Sequence, residues 1–233
     1  MSVKIVEMPD IGTVKFYRRR GMRGIRLTLT NNQVVRVTLP SWVPYSAGIE
    51  FVKSKRKWIL EHQSSKRELL QDQNIGKKHY LNFIKSAELS KPTGRIVGSQ
   101  VRIMYPTQLD ISNPLVQVAA QKAATKALKK EADEYLGQRL SDISEMFGFS
   151  YRSFKVRQLK SRWGSCSSKK DITLNIFLVL LPNDLVDYVI VHELVHTKVL
   201  HHGKDFWAEF TRCMPNARQL QKQLRQYNPS LST

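Results

Sequence analysis

Apolar and polar residues alternate along three short runs near the start of the chain, at 14–17, 25–29 and 34–39. A period of two sends successive side chains to opposite faces, so strands are expected whose apolar set packs while Arg26 and Arg36 stay wet. Asn31-Asn32 between the last two runs is a hairpin signal, because Asn tolerates positive φ. Pro40 and Pro44 close the sheet region, and Ser46 can cap a helix reaching to about Gln71. In that helix Phe51, Val52, Ile59 and Leu60 would face inward and Lys53, Lys55 and Lys57 outward, with Trp58 packed against the strands. Two more strands are expected at 78–84 and 100–105, joined by an exposed loop containing Pro92, Gly94 and Gly98.

The pattern then changes period. Asn113-Pro114 offers a cap followed by a proline in the first turn. From there Leu128, Ala132, Tyr135, Leu136, Leu140, Ile143 and Phe147 recur every three or four residues until Gly148, predicting one long helix. Strands are expected at 149–159 and 172–180, connected by a turn over 162–170. Leu185, Val186, Val189, Ile190, Leu194, Val195 and Val199 return to helical spacing, with Asn183 or Asp184 as cap. Gly203 is placed to end that helix in a left-handed conformation and turn the chain back. The fold class is therefore α+β, with a β-rich portion at 1–112 carrying one long helix and a catalytic portion at 113–233, expected to fold together.

The last of these helices holds the chemistry. Four of the six histidines of the chain fall between Leu185 and Trp207, and the first two stand in a His-Glu-x-x-His pattern: His192, Glu193, His196. Residues four apart share one helix face, so both imidazoles can bind a single metal ion. A catalytic zinc keeps about three protein ligands and leaves a position for water. His202, beyond the expected helix end, and its neighbour His201 are the candidates for the third, and spacing alone does not choose between them. Glu193 would flank the pair, within reach of metal-bound water, where a general base belongs. Burying that carboxylate without a function would be costly.

Several segments resemble the YgjP-like metallopeptidases, relatives of the SprT-like and Wss1-like zinc proteases. They are Arg162-Trp163-Gly164-Ser165-Cys166-Ser167, then Ile172-Thr173-Leu174-Asn175, then the run from Asp187 to His196, and His202 followed by Phe206-Trp207. Residues 26–40 and Lys57-Trp58-Ile59 resemble that family's amino-terminal part. The resemblance implies a zincin-like catalytic portion, with the active-site helix packed on a small sheet, and one zinc ion with the third ligand at His202. It implies hydrolysis of a polypeptide substrate, with Glu193 removing a proton from zinc-polarised water and passing it to the leaving amine. Arg162, Trp163 and Asn175 are candidates to line the substrate cleft. Tyr188, one turn before His192, is a candidate to support the site or to donate to a developing oxyanion.

Composition adds bounds. The chain has 233 residues, 41% hydrophobic, enough for one large or two small cores. The first ten residues lack the pattern of a signal peptide and no apolar run reaches a membrane span, so a cytoplasmic protein without membrane association is expected. Cys166 and Cys213 are too few for a disulfide framework; Cys166 is expected as a small packed residue, with a fourth metal ligand as its alternative. With 38 Lys and Arg against 19 Asp and Glu, the net charge is +19, a field that attracts DNA or another polyanion. The basic residues fall in groups around 18–26, 53–67, 122–130 and 155–162 rather than in one tail. The competing class is a basic nucleic-acid-binding protein with a structural metal site; such a site would be closed by a fourth ligand and would leave Glu193 without a task.

Overall fold

In a computed structural model of the protein, residues 3–29, 34–63 and 69–231 are described, with the backbone alone at 61–63. The Asn31-Asn32 turn lies outside the described residues, as do Lys66 and Arg67. The chain forms two compact units, Met1–Arg67 and Glu68–Thr233, so the boundary falls before the strands that the sequence pattern assigned to the amino-terminal portion.

The smaller unit is a four-stranded sheet backed by two helices. Its strands are β1 (Val3–Met8), β2 (Gly12–Arg19), β3 (Arg26–Leu29) and β4 (Val35–Pro40), in the order β1-β2-β4-β3. β2 and β4 run parallel; the outer pairs are antiparallel. β1 was not anticipated, because two of its apolar residues, Val3 and Ile5, stay 45% and 59% exposed and give no buried alternation. The expected single helix is two, α1 (Tyr45–Ser54) and α2 (Arg56–Gln63), parted at Lys55, where the backbone leaves helical geometry. Pro44 rather than Ser46 precedes the first turn. Val52 and Ile59 carry the helices onto Val14, Phe16, Val35, Val37 and Leu39. α1 comes close enough that a Cβ at Gly48 would meet Leu39 and Phe16 at 3.0–3.1 Å. Trp58 is 41% exposed, and its neighbour Ile59 fills the core position instead.

In the larger unit, β5 (Asn74–Ile75), β6 (His79–Ser86), β7 (Thr93–Val97) and β8 (Gln100–Pro106) form a sheet ordered β5-β6-β8-β7. β7 corrects the expected loop: Gly94 is needed there because a Cβ would stand 2.5 Å from the Ala123 Cβ, so the strand lies directly against the next helix. That helix, α3 (Pro114–Phe147), has the expected length and both expected ends. The Asn113 side chain accepts from the Leu115 N–H at 3.0 Å, and Gly148 takes φ 67°. Its stripe from Val116 to Ile143 is buried in one continuous core with the strands and with the segments that follow.

A three-stranded sheet comes next, ordered β10-β11-β9: β9 (Ser153–Arg157), β10 (Gly164–Cys166) and β11 (Asp171–Asn175). The span 162–170, expected as a plain turn, contains β10, antiparallel to β11, whereas β9 and β11 are parallel. β11 is shorter than predicted. At Asn175 the chain turns into a buried 3₁₀ helix, Ile176–Leu180, whose first turn is capped by the Asn175 side chain accepting from the Phe177 N–H. Three helices complete the unit: α4 (Asn183–Val195), α5 (Lys204–Cys213) and α6 (Ala217–Leu224). The Asn183 and Asp184 side chains do not cap α4; both lie inside its first turn, after Pro182. Gly203 is not the left-handed stop either. α4 ends at Val195, the Thr197 hydroxyl donates to the Leu194 carbonyl at 2.7 Å, and Gly203 is extended at the start of α5. No helix among the described residues is long and apolar enough to cross a membrane.

Candidate metal centre and substrate cleft

α4 is apolar nearly all round because it is enclosed by α3, α5, α6 and the small sheet, and only its carboxy-terminal turn opens to a cleft. His192 and His196 lie there one turn apart with ring centroids 4.8 Å from each other. The loop after α4 returns His202 to them. Its Nε2 stands 3.2 Å from His196 Nε2 and 3.1 Å from His192 Nε2. His192, His196 and His202 form the single cluster of at least three potential metal ligands among the described residues, and neither His201 nor Cys166 belongs to it.

The donor set fits a tetrahedral metal. Two nitrogens each about 2.0–2.1 Å from such an ion would be separated by about 3.3 Å, close to the observed spacings. Neutral imidazole offers one lone pair, and the protein fixes where it points at His196, whose Nδ1 donates to the Val199 carbonyl at 3.0 Å and leaves Nε2 free. His192 Nδ1 is buried without a hydrogen-bond partner among the described residues. Burial, then the neighbouring His196 and His202, push the His192 pKa down to about 3; burial also lowers that of His196. Both are neutral bases at pH 7, the form that binds metal. Phe206, completely buried on α5, touches all three rings, with centroids 5.1, 4.7 and 4.7 Å from His192, His196 and His202. It is the wedge that holds the returning loop, and Phe210 packs behind His192 at 5.6 Å.

Glu193 is 6% exposed, and burial raises its pKa to about 8 while the Arg162 guanidinium pulls it back. No group among the described residues hydrogen-bonds to its carboxylate. Its seat is Gly164 on β10, where a Cβ would meet Glu193 Oε1 at 2.7 Å and Cγ at 2.8 Å. Only a residue without a side chain leaves room, so the glycine of the Arg-Trp-Gly-Ser-Cys run serves the glutamate one helix away. Sequence reasoning missed that role, since spacing carries no sign of a contact across 29 residues.

Glu193 and His192 open onto a cleft of about 430 Å³. Arg162, Trp163 and Tyr188 line it as expected, together with Gly164 and, on the far side, Gln221, Leu224, Arg225 and Tyr227 of α6 and the segment after it. The contribution from α6 was not anticipated. Tyr188 is buried with its ring 5.1 Å from Phe210, and burial raises its phenol pKa, against the pull of Arg218 and Arg225, so it remains a donor. Asn175 does not face the cleft. It is completely buried; its amide donates to the Leu159 and Arg162 carbonyls at 2.9 and 2.8 Å, and its backbone N–H donates to the Trp163 carbonyl at 2.8 Å. Its place is behind the loop that presents Arg162 and Trp163. Cys166 is half-buried with its thiol pKa pushed up to about 11 by burial, then by Glu193 and Asp171, so it stays an inert thiol.

The family model for the YgjP-like metallopeptidase domain matches residues 23–227. No curated protein matches the chain. Among solved structures, similarity extends to the metallopeptidase zymogen abylysin of Pyrococcus abyssi, with 24% identity over 39% of this chain and 92% of that one and a TM-score of 0.37. It extends likewise to the zymogen jannalysin of Methanocaldococcus jannaschii, with 21% identity over 39% and 94% and a TM-score of 0.36.

Proposed function

The chain belongs to the YgjP-like metallopeptidase family, and we propose that it hydrolyses peptide bonds at one zinc ion held by His192, His196 and His202, with Glu193 as general base. The observation that carries this reading is the convergence of three imidazole nitrogens beside a buried carboxylate that the chain leaves unpartnered at a cleft. Zinc bound by these residues would supply Lewis acidity toward a carbonyl oxygen and toward water. Glu193 takes the proton of the attacking water and returns it to the leaving amine. Its raised pKa suits a group that must both accept and release a proton near neutrality. Tyr188 is positioned on the cleft wall to donate to the developing oxyanion.

Substrate can be held in extended form. β11 is the central strand of its sheet, so its own edges are occupied; β10 is the open edge, and it carries Gly164 against Glu193. A peptide adding to β10 would bring backbone carbonyls past the general base. A structural metal site needs a fourth ligand, and none joins the three histidines among the described residues.

The test is zinc content, measured for the wild type and for His202→Ala and His201→Ala prepared identically, together with cleavage of an unstructured polypeptide. One equivalent in the wild type and in His201→Ala, with loss of zinc and cleavage in His202→Ala, is the expected result. Equal loss in both variants would indicate a closed structural site, and a wild type that takes up no zinc would end the catalytic reading.

A further inference from the structure

The smaller unit carries an unusual share of the charge: 14 Lys and Arg against four Asp and Glu in residues 1–67, compared with 24 against 15 in the remaining 166. The register of its sheet shows where part of that charge goes. Laterally paired residues point to the same face. One row across the four strands is therefore Val3, Tyr17, Thr38 and Arg26, and the next is Ile5, Lys15, Arg36 and Thr28. The opposite face holds Val14, Phe16, Val35, Val37 and Leu39, buried under α1 and α2. The sheet is thus covered on one side only.

The open face is more than a solvated set of charges. Arg36 lies flat over Tyr17, with the guanidinium carbon 4.2 Å from the ring centroid. Lys15 and Arg26 flank that stack in the same rows, and Arg19, at the exposed end of β2, continues the face. None of Lys15, Arg19, Arg26 and Arg36 pairs with a carboxylate among the described residues, whereas other cations of this unit do, such as Lys53 with Glu50 and Arg56 with Asp10. Arg18, by contrast, points to the helix side, where it stacks on Tyr45 and donates to the Val43 carbonyl. Thr28 and Thr38 add hydroxyls, and Val3 and Ile5 add exposed apolar surface at one edge.

We propose that this face of the β1-β2-β4-β3 sheet binds single-stranded nucleic acid, with bases stacking on the Tyr17–Arg36 platform and phosphates held by Lys15, Arg19 and Arg26. A flat sheet presenting an aromatic ring and guanidinium planes suits unstacked bases. The unpaired cations supply the counterion-releasing contacts that backbone binding requires. A duplex hides the faces of its bases and would leave the platform idle. The proposal is independent of the peptidase reading, since no residue of the cleft takes part.

Fluorescence anisotropy of the full chain with labelled RNA and DNA oligonucleotides of about 12 nucleotides tests it. Arg26→Glu with Arg36→Glu should weaken binding by ~10²-fold and reduce the slope of log affinity against log salt by about 1.4, near 0.7 per lost phosphate contact. Tyr17→Leu should cost about tenfold with the salt slope unchanged. Lys122→Glu with Lys126→Glu, an equal charge change on an exposed stripe of α3, should leave binding intact. Arg19→Glu with Arg26→Glu probes the same face without touching the Tyr17–Arg36 stack, and thermal unfolding checks that each variant is folded. Equal losses from the α3 pair and the sheet pairs would reduce the effect to net charge and overturn the site. So would displacement of the oligonucleotide by a duplex or by polyglutamate of matched charge; the polyglutamate outcome would identify an acidic polypeptide as the occupant. A stronger signal from RNA or from DNA decides which strand is preferred, and binding of neither overturns the proposal.

Discussion

Glu131 on α3 and Glu193 on α4 are both buried, at 1% and 6% exposure, and both rest against a glycine from another element. They differ in whether the chain satisfies them. Glu131 accepts from the backbone N–H groups of Lys77 and Lys78 and pairs with His79 Nδ1 at 2.7 Å. Beside it Lys77 reaches over to donate from Nζ to the Leu181 carbonyl at 2.5 Å, just before α4. Those bonds tie the β5–β6 turn to α3. Glu193 has no such donors, and burial leaves it with a raised pKa at the wall of a cleft. A buried carboxylate without donors destabilises the fold by several kcal/mol, so its retention calls for a role outside folding. Burial alone does not separate a structural acid from a working one; the state of its lone pairs does.

The sharpest way to break the comparison is to neutralise Glu193. Glu193→Gln keeps the shape and removes the base, so peptide hydrolysis should fall by about 10³-fold, or about 4 kcal/mol of barrier, with zinc content retained. The melting temperature should hold or rise, because an unpartnered charge has gone. A fall in stability with activity preserved would reverse the assignments of the two glutamates.

Glu131→Ala should do the opposite. It strands two buried N–H groups and the His79 ring, and a loss of about 3–4 kcal/mol in urea unfolding is expected. Below its unfolding transition the variant should keep near-normal turnover per bound zinc. Large loss of turnover in a folded, zinc-loaded variant would mean that the Glu131 network shapes the site as well as the fold.

The two glycines extend the contrast. Gly76 sits at φ +66° with the Glu131 oxygens 2.7 Å from where a Cβ would be, so its replacement strains the backbone as well as the pair. Gly164 has no such backbone demand. At Gly164→Ala the new methyl meets the end of a side chain, and Glu193 is what yields. Activity should drop by about 10²-fold, as displacement of a catalytic group by about 1 Å can cause, while stability changes by less than about 1 kcal/mol. Equal damage to stability and activity would show that β10 itself had moved.

These roles were unevenly legible in the sequence. α3 was readable because its stripe runs for many turns between Asn113-Pro114 and Gly148, and the histidine pair because helical spacing alone puts it on one face. His202 could be named only beside His201, and it took the fold of the loop over Phe206 to bring one ring to the other two histidines. β7 was hidden because Gly94, read as a loop residue, is there for contact with Ala123. Gly164 and Glu131 act across 29 and more than 50 residues, and Asn175 looked like a cleft residue until its amide proved to be committed to carbonyls behind the cleft. What pattern reading recovers is periodic and local. What it misses are polar groups whose meaning depends on which partner, distant in sequence, consumes their hydrogen bonds.

Asp187 provides the intermediate case and the smallest expected effect. It lies on α4 itself, one turn before the histidine pair begins, and Arg139 of α3 grips it with two bonds of 2.7 Å. Unlike Glu131 it is partly in water, with side-chain exposures of 36% for Arg139 and 19% for Asp187. Solvent can therefore take over when the partner is lost. Arg139→Ala should cost about 1 kcal/mol, with zinc content and turnover unchanged, and the gap from the wild type should narrow as salt screens the pair. If this half-exposed pair proved as costly to break as the Glu131 cluster, the number of bonds joining α3 to its neighbours would matter more than their burial. A cost insensitive to salt would point the same way, since the planar fork would then be acting through its hydrogen bonds rather than through its charge.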